Sequence, residues 1–407
     1  MGLKILIWDY DFEIKNQGGP AGYLYNIREG IKNQKTNIYF IKDVLGHTSS
    51  AVSLKSSKIK KWFKSKNILG SYTLYALLNE FKTWSKNISD KCLDEFDFDA
   101  YDIIHFHSAL ALRTYYPFLK NYKGKVMLTS HSPQPLSHER LDLITTNRLI
   151  RKLVNPFLEL KEIRAWEYAD FLMFPVPDAI EVYFDSNIIK DYYNTHLNKF
   201  IFCPTSILSY NYDLKKINIR NKLNIPKTAF IVCYIGRHNI VKGYDKLKEL
   251  GEFILNKYND VYFLIGGAET RLKGLDNPRW IELGWIDFGN ELIAQSDLFI
   301  LPNKKTYFDL VTLEVIRSGT PILMTRTGGN KFFEQIGNTE GIFFYDYDNL
   351  EEAIENFNKI YTEYRYDESL RLSNRKLFEN QFTIDKYVKR YTELIIQISN
   401  KSVDKVN

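Results

Sequence analysis

Cysteine is scarce in this chain, and neither proline nor glycine is abundant. Its 407 residues include only three cysteines, Cys92, Cys203 and Cys233, which lie far apart and form no C-x-x-C pair. This excludes a disulfide framework and a structural zinc site, and it predicts a reducing compartment. With 12 Pro and 21 Gly beside 44% hydrophobic residues, the composition also excludes a disordered, collagen-like or low-complexity chain.

Long apolar runs are absent as well. No segment reaches the roughly 18 consecutive apolar residues that a membrane-spanning helix needs. The first apolar run, Ile5–Trp8, is too short for a signal peptide and is predicted to be a buried strand. We therefore expect a soluble, cytoplasmic protein.

The charge excess is small. There are 55 Lys and Arg against 49 Asp and Glu, which leaves a net charge of +6. An excess of this size suits an anionic small molecule or a lipid headgroup surface, and it is too weak to indicate a nucleic-acid partner.

Short apolar runs alternate with amphipathic helical patterns along the whole chain. This alternation predicts an α/β protein with two Rossmann-like, doubly wound domains, each with a parallel sheet covered by helices on both faces. We expect one such domain over residues 1–204, a second over 205–383, and a final helix over 384–407 that crosses back toward the first domain. The predicted strands are Lys4–Trp8, Ile38–Ile41, Ile103–Phe106, Lys125–Ser130, Phe171–Phe174, Phe200–Phe202, Phe230–Ile235, Val261–Ile265, Trp280–Leu283, Leu298–Leu301, Pro321–Met324 and Gly341–Phe344.

Ligands of open parallel sheets bind beyond the carboxyl ends of the strands, so the loops that follow strands carry the candidate residues. In one such loop, Arg237 and Lys242 stand five residues apart, just before a helix that begins near Tyr244. Fixed cations can stabilise the charge that a departing diphosphate gathers, without a metal. The alternative is a solvated basic loop.

Two further loops have a similar character. Glu314 lies one turn inside a helix that follows the strand Leu298–Leu301, where a carboxylate can accept both hydroxyls of a ribose or can simply complement the helix dipole. Near the amino terminus, Gly18 and Gly19 precede a helix, and glycines there let the backbone approach a phosphate or merely form a turn.

The ordered set of these segments resembles a known family. Gly18-Gly19, the pattern Gly-Arg-x4-Lys-Gly from Gly236, Leu-Glu-x4-Gly-x-Pro from Leu313 and Thr-x-x-Gly-Gly from Thr325 resemble the GT-B glycosyltransferases, especially glycosyltransferase family 4 (glycosyl transferases group 1). The resemblance covers nearly the whole chain. The other segments that are similar to that family in order and spacing are Asp102–His107, Thr129–His131, Trp166–Asp170, Phe263–Gly267, Leu283–Trp285 and Ala294–Pro302.

The resemblance implies two domains that face each other across a cleft, an acceptor-binding domain over residues 1–204 and a nucleotide-sugar-binding domain over residues 205–383. It also implies transfer of a sugar from a nucleotide-sugar donor, UDP-sugar by default, with retention of anomeric configuration. Because Arg237 and Lys242 already supply two cations for the diphosphate, we expect no metal or cofactor. The acceptor would be a saccharide, a lipid-linked glycan or a protein.

The resemblance also implies a role for each matching residue. In the second domain, Arg237 and Lys242 would bind the diphosphate, Leu310 and Val311 would offer backbone N–H groups to phosphate, Glu314 would bind the ribose, and Trp285 would lie near the base. In the first domain, Gly18 and Gly19 would close over the phosphate and sugar, and His131 would contact the transferring sugar.

Histidines near the predicted site also need assignment. Of His105 and His107, at the end of one strand, we expect only one to point toward the site, so His105 is predicted to be a core histidine. His107 and His138 are the candidates for the acceptor side.

One departure from the family pattern leaves a second function open. The family usually has two glutamates eight positions apart, and the first falls here on Thr306, while Asp309 occupies a position where glycine is common. The alternative is therefore a catalytically degenerate subunit that binds or stabilises another glycosyltransferase. A nucleotide-sugar epimerase fits less well, because no array of acidic groups is evident.

Two remaining patterns concern a metal and a membrane. Asp-x-Asp occurs three times, at Asp9, Asp97 and Asp346, which shows how common the pattern is, so we assign no metal. Six lysines between Lys55 and Lys66 surround Trp62 and Phe63. They predict either a peripheral contact with the inner face of a membrane or a solvated surface.

Overall fold

The computed structural model describes residues 2–11, 13–15, 19–32, 34–46, 69–86, 88–209, 217–268, 272–365 and 367–399. The chain divides into two compact units. The first contains residues 1–174, 182–203 and 388–407, and the second contains residues 175–181 and 204–387.

A parallel sheet of six strands forms the centre of the first unit, in the order β2-β1-β3-β4-β5-β6. The strands Ile5–Trp8 and Ile103–Phe106 are buried at every residue, whereas Tyr39 in the edge strand Ile38–Phe40 is 36% exposed. The strands are β1 (Ile5–Trp8), β2 (Ile38–Phe40), β3 (Ile103–Phe106), β4 (Lys125–Thr129), β5 (Phe171–Phe174) and β6 (Phe200–Phe202).

A second parallel sheet of six strands forms the centre of the second unit, in the order β12-β11-β10-β7-β8-β9. The order reverses between β7 and β10, so the loops after these two neighbouring strands lie at the topological switch point where ligands of such sheets bind. The strands are β7 (Phe230–Ile235), β8 (Val261–Gly266), β9 (Trp280–Gly284), β10 (Leu298–Leu301), β11 (Ile322–Thr325) and β12 (Ile342–Tyr345).

Helices connect the strands within each unit. The described helices of the first unit are Gly19–Ile31, Ile41–Leu45, Leu69–Thr83, Lys91–Asp94, Ala109–Tyr115, Leu136–Asp142, Arg148–Glu167 and Asn187–Thr195. Those of the second unit are Ile219–Lys222, Tyr244–Lys257, Gly289–Ala294, Leu310–Ser318, Lys331–Gln335, Leu350–Glu363 and Glu368–Gln381. The last helix, Ile384–Ser399, begins in the second unit and belongs to the first unit from Val388 onward.

The predicted α/β class and the predicted strands are confirmed, and each strand end coincides with the prediction or differs from it by one residue. Ile41 is an exception, because it begins the helix Ile41–Leu45 instead of ending β2. The buried carboxylate of Asp9 explains this change, since it accepts a hydrogen bond from the Lys42 N–H at 3.1 Å and so satisfies a free amide at the start of the helix. Among the described residues, no helix has the length and apolar character needed to cross a membrane.

Candidate functional site

Two loops at the switch point of the second sheet are held against each other. Gly243 ends the loop after β7 with a φ of +64°, and a Cβ there would lie 1.6 Å from the carbonyl oxygen of Pro302, in the loop after β10. The Lys304 N–H also donates to the Val241 carbonyl at 3.0 Å. Only glycine therefore fits at position 243, and the loops are in direct backbone contact.

This contact brings Lys242 to the start of the helix Leu310–Ser318. The Lys242 Nζ lies 2.6 Å from Oδ2 of Asp309, the residue just before the helix, and the two side chains are each 18% exposed. Asn303 Nδ2 donates to the same carboxylate oxygen at 2.5 Å. The cation that the sequence assigns to a diphosphate is thus paired with a carboxylate of the chain itself.

Asp309 does not cap the helix that it precedes. Its backbone is extended, and its side chain accepts no hydrogen bond from the first turn. The N–H groups of Leu310 and Val311 belong to this turn, where a helix offers no carbonyl partner of its own. The predicted backbone donors and Lys242 therefore lie at one helix start, which carries a partial positive charge.

Arg237 lies on the same loop as Lys242 and is exposed. Its guanidinium has no hydrogen bond to any residue in the part of the chain that the structure describes. The next residue, His238, is fully buried and stacks on Tyr244 with ring centroids 4.0 Å apart. His238 anchors the loop from inside, so the arrangement leaves the adjacent arginine toward solvent and able to reach a ligand.

Glu314 lies one turn into the same helix and is half-buried. Burial raises the pKa of its carboxyl, and the positive charge of Arg317 acts in the opposite direction. No residue in the described ranges forms a hydrogen bond with this carboxylate. A partly desolvated carboxylate with free acceptor oxygens has the chemistry that a ribose diol needs.

Two other positions that the sequence singled out differ in burial. Trp285 follows Gly284, whose φ is +65°, and is 81% exposed. Thr306 is fully buried, and its hydroxyl has no hydrogen-bond partner within the described part of the chain. Its carbonyl accepts the Gly329 N–H at 3.2 Å, so the Gly328-Gly329 turn packs against the segment that contains the substituted glutamate position.

Three histidines of the first unit, His105, His107 and His131, form a group at the carboxyl ends of β3 and β4, in which His105 and His107 are buried and His131 is half-buried. His105 is a core histidine, as predicted, because its two ring nitrogens lie 2.8 Å from Tyr391 Oη and 2.8 Å from Thr129 Oγ1. The prediction that His105 and His107 point in different directions is wrong. Residues two apart on a strand share a face, and their ring centroids are 4.1 Å apart.

His107 and His131 lie next to each other, with His107 Nδ1 3.0 Å from His131 Nε2. Burial lowers the pKa of His131 to about 3 and holds the pKa of His107 well below its usual value. Both rings are therefore neutral at physiological pH, and one donates a hydrogen bond to the other. Tyr23 packs on His131 with ring centroids 4.7 Å apart.

The other predicted residues of the first unit have different surroundings. His138 lies in the helix Leu136–Asp142 and its Nε2 contacts the Glu159 carboxylate, a packing contact between two helices. Gly19 begins the helix Gly19–Ile31 with a φ of +74° and has open space around it. Gly18 and the segment from Lys55 to Lys66 lie outside the described residues. Among those that are described, no three His, Cys, Asp or Glu side chains are placed to share a metal ion.

Sequence reasoning did not identify three residues of these sites. Asp309 pairs with Lys242, Asn303 donates a hydrogen bond to Asp309, and Tyr23 packs on His131. Asp309 had a signal, since it is an unusual residue directly before the helix. Tyr23 and Asn303 had none, because their contacts depend on how separate loops and helices pack.

Known proteins resemble parts of this chain in sequence. Residues 215–377 match the sequence model of a family described as glycosyl transferases group 1. A glycogen synthase of Clostridium botulinum is 28% identical over 219 residues, which are 46% of this chain and 45% of that protein. A D-inositol 3-phosphate glycosyltransferase of Corynebacterium urealyticum is 28% identical over 130 residues, 28% of this chain and 30% of that protein. The chain therefore spans less than half the length of these relatives.

Solved structures resemble the chain over almost its whole length. Sucrose-phosphate synthase of Thermosynechococcus elongatus matches with a TM-score of 0.62 and 14% identity, covering 97% of this chain and 99% of that one. HepE of Anabaena, solved in complex with UDP-glucose, matches with a TM-score of 0.60 and 14% identity, covering 97% and 100%. At this identity the likeness shows the fold alone, and the predicted GT-B fold is confirmed.

Proposed function

We propose that this chain is a glycosyltransferase that moves a sugar from a nucleotide-sugar donor to an acceptor. The observation that carries the proposal is the position of Lys242, which the Gly243–Pro302 contact holds at the start of the helix Leu310–Ser318. Support comes from the family match, because residues 215–377 include both loops and this helix.

The donor diphosphate would bind at this helix start. As the bond between the anomeric carbon and the diphosphate oxygen breaks, the electron pair leaves with the diphosphate. Arg237, Lys242 and the N–H groups of Leu310 and Val311 would stabilise that charge. The oxygen of the acceptor hydroxyl forms the new bond to the anomeric carbon, and its proton passes to the departing diphosphate oxygen, which carries the electron pair of the broken bond.

The remaining donor contacts follow from the same helix and the neighbouring loop. Glu314 would accept the ribose hydroxyls, and the exposed indole of Trp285 would lie near the base. UDP is the default nucleotide in this proposal, and the presence of UDP-glucose in the Anabaena HepE structure supports that choice.

Residues of the first unit complete the proposal. His131, a neutral ring, would contact the transferring sugar, with His107 and His138 on the acceptor side and Gly18 and Gly19 near the phosphate. Retention of configuration and independence from a metal are part of the proposal. Transfer that persists in excess EDTA would support metal independence, and transfer restored only by a divalent cation would contradict it.

A degenerate subunit is the second candidate, and two observations favour it. Thr306 replaces a family carboxylate with a buried hydroxyl, and Asp309 neutralises part of the charge of Lys242. Such a subunit would bind donor without consuming it, or would lack donor binding altogether.

A donor-turnover assay separates the two functions. The enzyme is expected to release nucleoside diphosphate from a nucleotide sugar, and Arg237→Ala and Lys242→Ala should each abolish most of that release. Lys331→Ala is the matched control, because Lys331 pairs with Glu181 elsewhere in the same unit. Donor binding with no release by the unaltered protein, over a panel of UDP-, GDP- and ADP-sugars and acceptors, would favour the degenerate subunit.

A further inference from the structure

The long helix Arg148–Glu167 exposes a row of large apolar side chains. Leu149, Leu153, Phe157 and Leu160 are 73%, 70%, 62% and 49% exposed. We name these four residues the outer stripe, and we propose that the outer stripe docks this chain on an anionic membrane surface. The proposal does not rest on the proposed glycosyltransferase activity.

Their spacing places the four residues of the outer stripe together. Successive members are four, four and three residues apart, which puts them on one face of a helix. The opposite face is already used, since Leu158, Ile163 and Trp166 are buried in the first unit. The helix is therefore apolar on two sides, and packing within the unit accounts for only one of them.

Charge favours an anionic partner for this face. Arg148, Lys152 and Arg164 are exposed on the same helix: Arg164 extends the face of the outer stripe, Lys152 lies to one side of it, and Arg148 precedes Leu149 at the start of the helix. An apolar stripe with cations beside it is the pattern of helices that lie in a membrane interface, where the apolar side chains enter the acyl boundary and the cations meet headgroup phosphates.

The acidic side chains of the helix are turned the other way. Glu159 is buried against His138, and Glu162 is buried where it accepts the N–H groups of Leu136 and Ser137. Glu167, the last residue of the helix, is the one exposed acid there. The outer face consequently presents positive charge next to apolar surface, with negative charge only at its end.

The same charges argue against a second copy of the chain as the occupant. In a symmetric dimer the same patch meets itself, so Arg148, Lys152 and Arg164 would face the same cations of the other copy. Like charges held close across an interface are unfavourable, and no exposed acids lie within the stripe to pair with them.

A neighbouring helix adds apolar surface in the same unit. Leu74 and Leu78, four residues apart on the helix Leu69–Thr83, are exposed. Lys161 of the long helix donates to Ser85 Oγ at 2.9 Å, just beyond the end of that helix. Two helices of one unit thus expose leucines to solvent. Such a group of exposed apolar residues is characteristic of an interaction surface, whereas single exposed apolar residues are ordinary.

Vesicle sedimentation tests the proposal with the full chain. We expect the unaltered protein to sediment with phosphatidylcholine vesicles that contain about one-third phosphatidylglycerol. A much smaller fraction of the protein should sediment with vesicles of pure phosphatidylcholine. The variant Leu149→Gln/Leu153→Gln/Phe157→Gln should lose roughly tenfold or more in vesicle affinity. The control Leu372→Gln/Ile396→Gln removes exposed apolar residues elsewhere and should bind as before.

A charge series isolates the electrostatic part. Arg148→Gln/Lys152→Gln/Arg164→Gln should weaken binding to the anionic vesicles, while Lys359→Gln/Lys376→Gln/Lys386→Gln removes three exposed cations elsewhere and should have little effect. All altered positions are exposed or partly so, and unchanged melting temperatures would verify folding. Equal sedimentation of the stripe variant and the unaltered protein would overturn the proposal. So would a dimer in analytical ultracentrifugation that the stripe variant converts to monomer.

A fluorescent probe reports insertion directly. Cys92 is the exposed cysteine, while Cys203 and Cys233 are buried, so Cys92→Ser gives a background for labelling at Phe157→Cys. A polarity-sensitive dye there should shift to the blue when anionic vesicles are added, and the same dye at Leu372→Cys should not. No shift at position 157 while the protein sediments would contradict docking by this face.

Discussion

At the scale of single residues, the pairing of Lys242 with Asp309 is the contact that most affects the proposed donor site. The two side chains are mostly buried and 2.6 Å apart. A diphosphate that approaches Lys242 must share it with a carboxylate of the same sign as itself. Asp309 therefore orders the lysine and at the same time weakens the field that a diphosphate would experience.

Asp309→Asn should tighten donor binding. The change removes the competing charge and keeps an amide oxygen for Asn303, so we expect nucleoside diphosphate affinity to rise roughly fivefold, the equivalent of about 1 kcal/mol. Isothermal titration calorimetry measures this affinity. Glu181→Gln, which breaks the Lys331 pair of the same unit, is the control and should leave the affinity unchanged. Weaker binding by Asp309→Asn would show that the carboxylate positions Lys242 more than it repels the ligand.

Glu314 gives a prediction about stability and pH. Its raised pKa means that the folded protein binds the proton more tightly than the unfolded chain does. The ionised carboxylate therefore lowers the free energy of unfolding above the unfolded-state pKa, and the penalty disappears as pH falls below that value. Glu314→Gln should raise the melting temperature at pH 7 and weaken donor binding.

The pH series supplies the control for this prediction. The difference in melting temperature between Glu314→Gln and the unaltered protein should shrink as pH approaches about 4, where the glutamate is protonated in both states. As the pH is lowered, the donor affinity of the unaltered protein should begin to fall at a pH above the pKa of an ordinary glutamate, because the pKa of Glu314 is raised. A difference in melting temperature that is constant from pH 4 to pH 8 would contradict the role of ionisation.

At the scale of elements, strands and their order were predictable because the buried runs are short, apolar and separated by helical patterns. Arg237, Lys242 and Glu314 were predictable as site candidates because each follows or lies just beyond such a strand. The pairing of Lys242 with Asp309 was not, since it depends on the loop after β7 touching the loop after β10. The start of the helix at Ile41 depends on Asp9, which is distant in sequence.

Gly243→Ala should separate the two loops. A methyl group there would meet the Pro302 carbonyl, and the positive φ adds strain of about 1 to 2 kcal/mol. We expect a lower melting temperature and a loss of donor binding, measured by calorimetry. Gly337→Ala has a similar φ of +71° with open space around it, so it should cost only the backbone strain and should leave donor binding intact. Equal losses of melting temperature and donor binding in both variants would contradict a role for the loop contact in donor binding.

At the scale of the whole molecule, the chain returns to the first unit with its last helix. Residues from Val388 onward belong to that unit, and Tyr391 Oη lies 2.8 Å from the buried His105 ring. The sequence predicted the helix itself, from apolar residues at helical spacing. The hydrogen bond itself was not predictable, because it joins residues 286 positions apart.

Tyr391→Phe should destabilise the first unit. The change leaves a ring nitrogen of His105 buried without this partner, which costs about 1 to 3 kcal/mol. Chemical denaturation of the full chain measures the loss. Tyr39→Phe alters an exposed tyrosine of the same unit and should have little effect. An unchanged free energy of unfolding for Tyr391→Phe would mean that the last helix is held by apolar packing alone.

The most direct test of the central claim is the melting temperature of the full chain against nucleoside diphosphate concentration. A ligand that binds only the folded protein raises the melting temperature as its concentration rises. We expect at least one of UDP, GDP and ADP, and UDP by default, to raise the melting temperature of the unaltered protein. Lys242→Ala and Arg237→Ala should each abolish this rise, whereas Lys331→Ala should retain it. A rise that is equal in all three variants, or no rise with any nucleoside diphosphate, would contradict a donor site at the start of the helix Leu310–Ser318.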